Sequence, residues 1–118
     1  MHIDSLFVMK NQKGEIIAAI SIDHDEEVDK LDCWSRIFQP SAEVARVCVR
    51  KDLQGQGIAK MMMEHVFTVL REQNKKSVHI LVRDNHKAAL KCYSDLGFVP
   101  VGECELFEKH FVCMEKKL

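Results

Sequence analysis

Apolar residues recur along this chain in two periods, and the alternation between them predicts the order of elements. Leu6 to Lys10 is a short apolar run, Asn11-Gln12-Lys13-Gly14 places a glycine where a turn needs positive φ, and Ile16 to Ile22 is β-branched and apolar. Together they predict an antiparallel hairpin. Glu43 to Arg50 returns to strand character through Val44, Val47 and Val49. Ala59, Met62, Met63, Val66, Phe67 and Leu70 then recur at helical spacing, with Lys60, Glu64 and Arg71 off the stripe. Met62 and Met63 are expected to pack and Met61 to lie at the edge. Ser77 to Arg83 alternates Val78, Ile80 and Val82 against His79, Leu81 and Arg83. Asp84-Asn85 offers helix caps, a short helix carries Ala88, Ala89, Cys92, Tyr93 and Leu96, and Gly97 suits the left-handed residue past its end. Phe98 to Val101 and Phe111 to Met114 close the chain as strands, Pro100 favouring an edge. The order ββ, long connection, β, α, β, α, ββ predicts a mixed α/β (α+β) sheet of about six strands with helices on its faces.

The connection from Asp23 to Ser41 is acidic and irregular, which suits a functional loop or a short helix. Trp34, Ile37 and Phe38 lie within it. Leaving large apolar residues in water costs roughly 1.5–3 kcal/mol each. They are therefore expected to be buried, over one side of the sheet or in a homodimer surface. The run His24-Asp25-Glu26-Glu27 could attract a cationic partner molecule or be plain solvated surface.

The 118 residues suit one domain spanning 1–118. A formal charge of −1 gives no basic footprint for nucleic acid, so no nucleic-acid partner is expected. No apolar run is long enough to span a membrane, and the N-terminus has no signal pattern. Five cysteines without a C-x-x-C pair read as free thiols in a reducing, cytoplasmic compartment. Cys48, Cys92 and Cys113 sit in apolar runs and are expected in the core. The histidines show no metal-ligand spacing, so no metal site is expected.

Candidate chemistry centres on Gln54-Gly55-Gln56-Gly57-Ile58-Ala59, between a strand and a helix. Free backbone N–H groups and the positive end of a helix dipole converge there, a setting for phosphate oxygens. The loop lacks the G-K-[ST] of nucleotide triphosphatases, which argues against that class.

The stretch Val49 to Ala59 resembles the acetyl-CoA loop R/Q-x-x-G-x-G/A of the GNAT N-acetyltransferase superfamily, with Gln54, Gly57 and Ala59 in the fixed places. Ala88-Ala89-Leu90-Lys91-Cys92-Tyr93-Ser94-Asp95-Leu96-Gly97-Phe98 resembles the A-x-x-x-Y-x-x-L-G-F helix end of that family. The resemblance implies a mostly antiparallel mixed sheet, and either a short member or a truncated form without the family's usual first strand and two helices. It implies acetyl-CoA as cosubstrate and a small-molecule or peptide amine as acceptor, acetylated by direct attack. Val47 and Val49 would bond the pantetheine arm, and N–H groups from Gln54, Gly55, Gln56, Gly57, Ile58 and Ala59 the pyrophosphate. Tyr93 falls on the general acid; its other reading is a packed helix residue. Glu43 falls where members carry a base, and would otherwise be a solvated strand-start carboxylate. Strict alternation puts Glu43 on the face of Val47 and Val49 unless a bulge intervenes. Asp23 and His110 are weaker bases. The family's asparagine position falls on His86, leaving Asn85 as a cap. The alternative function is a non-catalytic acyl-CoA-binding or regulatory module.

Overall fold

The computed structural model describes residues 2–118. Strands β1 (His2–Lys10) and β2 (Ile16–His24) form the expected hairpin. The long connection holds a one-turn helix, α1 (Glu26–Asp29), and a 3-10 turn at Arg36–Phe38. Then come β3 (Ser41–Val49), a 3-10 turn at Lys51–Leu53, α2 (Ile58–Glu72), β4 (Ser77–Arg83), α3 (Lys87–Asp95), β5 (Val99–Leu106) and β6 (Lys109–Lys117). The strands make one six-stranded sheet in the order β1-β2-β3-β4-β6-β5. Every neighbouring pair is antiparallel except β3 and β4. Pro100 lies on edge strand β5, and Gly97 takes a φ of 97° after α3. One expected cap fails: His86, not Asp84 or Asn85, is the α3 N-cap, and its side chain makes no capping bond.

Both long helices pack on one face of the sheet. Helix α2 buries Met62, Met63, Val66, Phe67 and Leu70 against Ile20, Val44, Val78 and Ile80, while Met61 stays exposed. Helix α3 joins the same core through Ala89, Tyr93 and Leu96, and Phe98 behind it sets its ring 6.0 Å from that of Phe67.

The acidic connection covers part of the other face. Val28 and Trp34 close over Cys113 of β6, with Leu81, Val101, Cys104 and Leu106 around them. The connection is tied down by Ser35, whose N–H donates to Glu115 at 3.1 Å and whose hydroxyl donates to the same carboxylate. Trp34 is buried as expected and donates from Nε1 to the Val28 carbonyl at 2.9 Å. Ile37 departs from expectation: it is 79% exposed, because the 3-10 turn points it outward, and Phe38 is half-buried. Trp34→Phe keeps a ring but removes the Nε1–H bond to the Val28 carbonyl, which keeps its bond from the Leu31 N–H, and shrinks a buried side chain. It is expected to cost about 1–2 kcal/mol, measured by urea unfolding.

Strand β3 changes phase midway. Ser21 of β2 faces Arg46 and Ile22 faces Val44, which leaves Ala45 as an extra residue. The bulge keeps Ala42 and Val44 on the helix-covered face and puts Val47 and Val49 there too. Glu43 therefore points to the opposite face, contrary to strict alternation. Cys48 also leaves the core face and is exposed, a second correction, whereas Cys113 is buried and Cys92 partly so.

Candidate active site

Strands β3 and β4 are paired only over Ser41–Glu43 and Ser77–His79. Beyond Glu43 they separate, and the sheet opens. The N–H of Arg50 donates to Ile17 of β2 at 2.8 Å. Strand backbone groups alternate in direction, so Cys48 likewise bonds toward β2, while Val47 and Val49 turn their N–H and C=O groups into the opening. The Val49 carbonyl there accepts from Gln54 Nε2 at 3.0 Å, which fastens the loop to the strand.

The loop itself is held from below. Arg50 grips Asp52 with two bonds, Nε to Oδ1 at 2.7 Å and Nη2 to Oδ2 at 3.1 Å. Gly55 and Gly57 both take a φ of 80°, a conformation that a Cβ strains. Gly57 is the α2 N-cap and supplies no capping side chain. The first intrahelical bond runs from Met61 N to the Gly57 carbonyl at 3.1 Å, so the N–H groups of Ile58, Ala59 and Lys60 have no partner inside the helix. They border a cavity of about 430 Å³ lined by Val47, Val49, Gln54, Gly55, Gly57, Ile58 and Ala59. Gln56 is not among its lining residues. A cavity ringed by N–H donors at a helix start accepts anionic oxygens.

The model of the Acetyltransferase (GNAT) family matches residues 2–98, the span that contains this opening, the loop and Tyr93. The chain belongs to the GNAT acetyltransferase family. Members are acyltransferases that use acetyl-CoA. Among solved structures, this GNAT chain is similar to an IAA acetyltransferase from Bacillus cereus, at 15% identity and a TM-score of 0.72, over 96% of this chain and 77% of that one. It is also similar to a GNAT family acetyltransferase from Elizabethkingia anophelis with acetyl-CoA bound, at 16% identity and a TM-score of 0.73, over 96% and 75%. A third is the ribosomal-protein-S18-alanine N-acetyltransferase from Escherichia coli, at 18% identity and a TM-score of 0.69, over 91% and 64%. At these identities the likeness establishes the fold. Among the described residues of this GNAT chain, no helix is long and apolar enough to cross a membrane.

Tyr93 of this GNAT domain is partly buried on α3, its ring edge-on to Phe98 at 5.6 Å. Burial pushes its phenol up to about 12, and the nearby thiols of Cys92 and Cys48 add to that shift. Its neighbour Cys92 lines the loop cavity, whereas Tyr93 itself is not among the lining residues.

Glu43 sits on the other side of the sheet, in a second cavity of about 740 Å³ that also takes in Asp23, Asp29, Trp34 and His79. Burial, then the negative charges of Asp25, Asp23 and Asp29, raise its carboxyl to about 7. Beside it His79 is held down to about 4 by burial, with Nδ1 2.7 Å from Ser41 Oγ and its ring 4.7 Å from that of Trp34. The weaker base candidates are otherwise engaged. Asp23 is locked by Arg46 at 3.0 Å and by the Ser21 hydroxyl, and His110 pairs with Glu103 at 2.8 Å outside both cavities.

Sequence reasoning missed four residues here. Lys60 and Cys92 line the loop cavity, and Asp29 and His79 stand beside Glu43. Lys60, three positions past Gly57, was legible as a cation beside the loop. Asp29 and His79 join Glu43 only through sheet pairing and the fold of the long connection, which no local spacing carries.

Proposed function

We propose that this chain transfers the acetyl group of acetyl-CoA to a primary amine, with the two substrates entering from opposite faces of the sheet. The observation that carries the reading is the opening beyond Glu43. It has the glycine loop on the helix side and the raised carboxylate on the other.

In this reading the pyrophosphate takes the N–H groups of the loop from Gln54 to Ala59, and the pantetheine arm bonds the backbone groups that Val47 and Val49 turn into the opening, displacing Gln54 Nε2 where it uses the Val49 carbonyl. The thioester then lies in the gap. The amine nitrogen attacks the carbonyl carbon as its proton passes to Glu43, directly or through water. The C–N bond forms, the C–S bond breaks, and the departing sulfur takes a proton from Tyr93. A phenol near 12 is fully protonated at neutral pH. Desolvation raises a bound CoA thiol by the same mechanism, which keeps donor and leaving group matched. Unpaired thiols at all five cysteines suit a reducing, cytoplasmic setting.

The direct test is acetyl-CoA turnover against polyamines, amino acids, aminoglycosides and peptide N-termini, followed by release of free thiol. Acetyl-CoA binding with no turnover on any amine would replace this reading with a non-catalytic binding module.

Glu43 supplies a pH test. Its base form is populated above about 7, so kcat/KM is expected to rise with pH through that value. Glu43→Gln should flatten this limb and lower the rate by about 10- to 100-fold, the small end for a base because solvent water can relay the proton. The same raised value stabilises folding below the ordinary 4.5 and loses that contribution as pH rises through about 7. The variant should therefore gain thermal stability relative to the parent above neutrality. An unchanged pH–rate profile in metal-free buffer would remove Glu43 as the base.

A further inference from the structure

We propose that Asp29, Glu43 and His79 form a binding site for a first-row divalent metal ion of the Zn²⁺ class. The inference does not depend on acetyl transfer. One ligand atom from each residue lies within 4.8 Å of the other two, and His79 Nε2 is 3.8 Å from Asp29 Oδ1.

Two of the three donors are buried and idle. Glu43 is 8% exposed and His79 4%, and neither Glu43 Oε1 nor His79 Nε2 has a hydrogen-bond partner among the described residues. Orphaned polar atoms this deep are costly unless something fills the space between them. Both line the larger cavity, so that space is reachable.

The surroundings orient the donors as metal sites do. Ser41 Oγ lies 2.7 Å from His79 Nδ1. In the tautomer that donates Nδ1–H to this oxygen, the Nε2 lone pair faces the cavity. Trp34 holds the imidazole ring in place from its flank. His24 Nδ1 stands 3.4 Å from Asp29 Oδ2, behind the carboxylate. Metal–ligand bonds of about 2.1 Å put adjacent ligand atoms about 3–3.5 Å apart. Asp29, whose side chain is partly exposed on a one-turn helix, can close the remaining gap by rotating. One borderline imidazole and two hard carboxylates form an N,O set with open positions for water. The nitrogen donor disfavours Mg²⁺ and Ca²⁺, which take oxygen ligands.

Titration of the metal-free chain near neutral pH tests this, with Zn²⁺ by calorimetry and Co²⁺ by visible absorption. One Zn²⁺ per chain is expected, with Co²⁺ displaced by Zn²⁺ and not by Mg²⁺. Asp29→Asn should weaken binding at least about 10-fold, as should His79→Gln, and His24→Gln should weaken it about 10-fold through the carboxylate it orients. Asp29 is on the surface, so its variant keeps the test valid should His79→Gln fail to fold. The absence of saturable binding would overturn the proposal. So would parental affinity in Asp29→Asn, or a thiolate-to-Co²⁺ charge-transfer band that places the ion on cysteine.

Discussion

Tyr93→Phe is expected to lower turnover by about 10²- to 10⁴-fold while leaving acetyl-CoA affinity and the unfolding midpoint near those of the parent. The ring of Tyr93 packs edge-on to Phe98, and the substitution preserves that contact. Only the hydroxyl is lost, and among the described residues it has no hydrogen-bond partner, so folding loses little. The effect must fall on the step in which sulfur gains its proton. Stopped-flow measurement of a single turnover with a good acceptor isolates that step. Parental rates there would leave water as the proton source and return Tyr93 to the role of a packing residue.

Gly57→Asp is expected to weaken acetyl-CoA binding by roughly 100-fold or more. The charge carries the effect on affinity. A φ of 80° costs a residue with a Cβ about 1 kcal/mol in the free and the bound loop alike, which lowers stability and not affinity. A carboxylate about 5 Å from a phosphate costs about 3 kcal/mol at an effective dielectric near 20, less some screening at an open loop. Within the protein a Cβ at Gly57 meets nothing within 4 Å, so the substitution does not clash with the fold itself. Gly57→Ala separates the two: it carries the backbone strain without the charge and should lose only a small part of the affinity. Calorimetry on folded Gly57→Asp with unchanged affinity would remove the loop from the pyrophosphate site.

The loop and the helices were legible because their determinants are local. The stripe from Met62 to Leu70 and the glycines at 55 and 57 each declare a conformation within one turn of chain. The family resemblance rested on those same short stretches. The orientation of Glu43 was not legible, because it depends on a bulge that is visible only in the pairing of β3 with β2. The ends of β5 and β6 ran past their apolar cores for a related reason. Ladder bonds between the two strands recruit Glu103, Glu105 and Lys109, whose side chains carry no strand signal. Ile37 misled because a large apolar residue in a loop was expected inside, whereas the anchoring is done by Trp34 and by the Ser35–Glu115 bonds. His86 stands as a helix cap without a capping bond, a position that side-chain preference would have given to its neighbours.

The extra residue at Ala45 makes β3 two half-strands that keep separate parity. Odd positions above it and odd positions below it look out on different sides of the protein. A substitution at 43 alters the surroundings of one cavity, and a substitution at 47 or 49 alters those of the other, with little cross-talk through the side chains. The two ends of a single strand can thus diversify independently. Removing Ala45 would make Val44 and Arg46 neighbours in one regularly alternating strand, with Glu43 still opposite Val47 and Val49, so the extra residue changes the twist and opening of the sheet and not the side on which Glu43 lies.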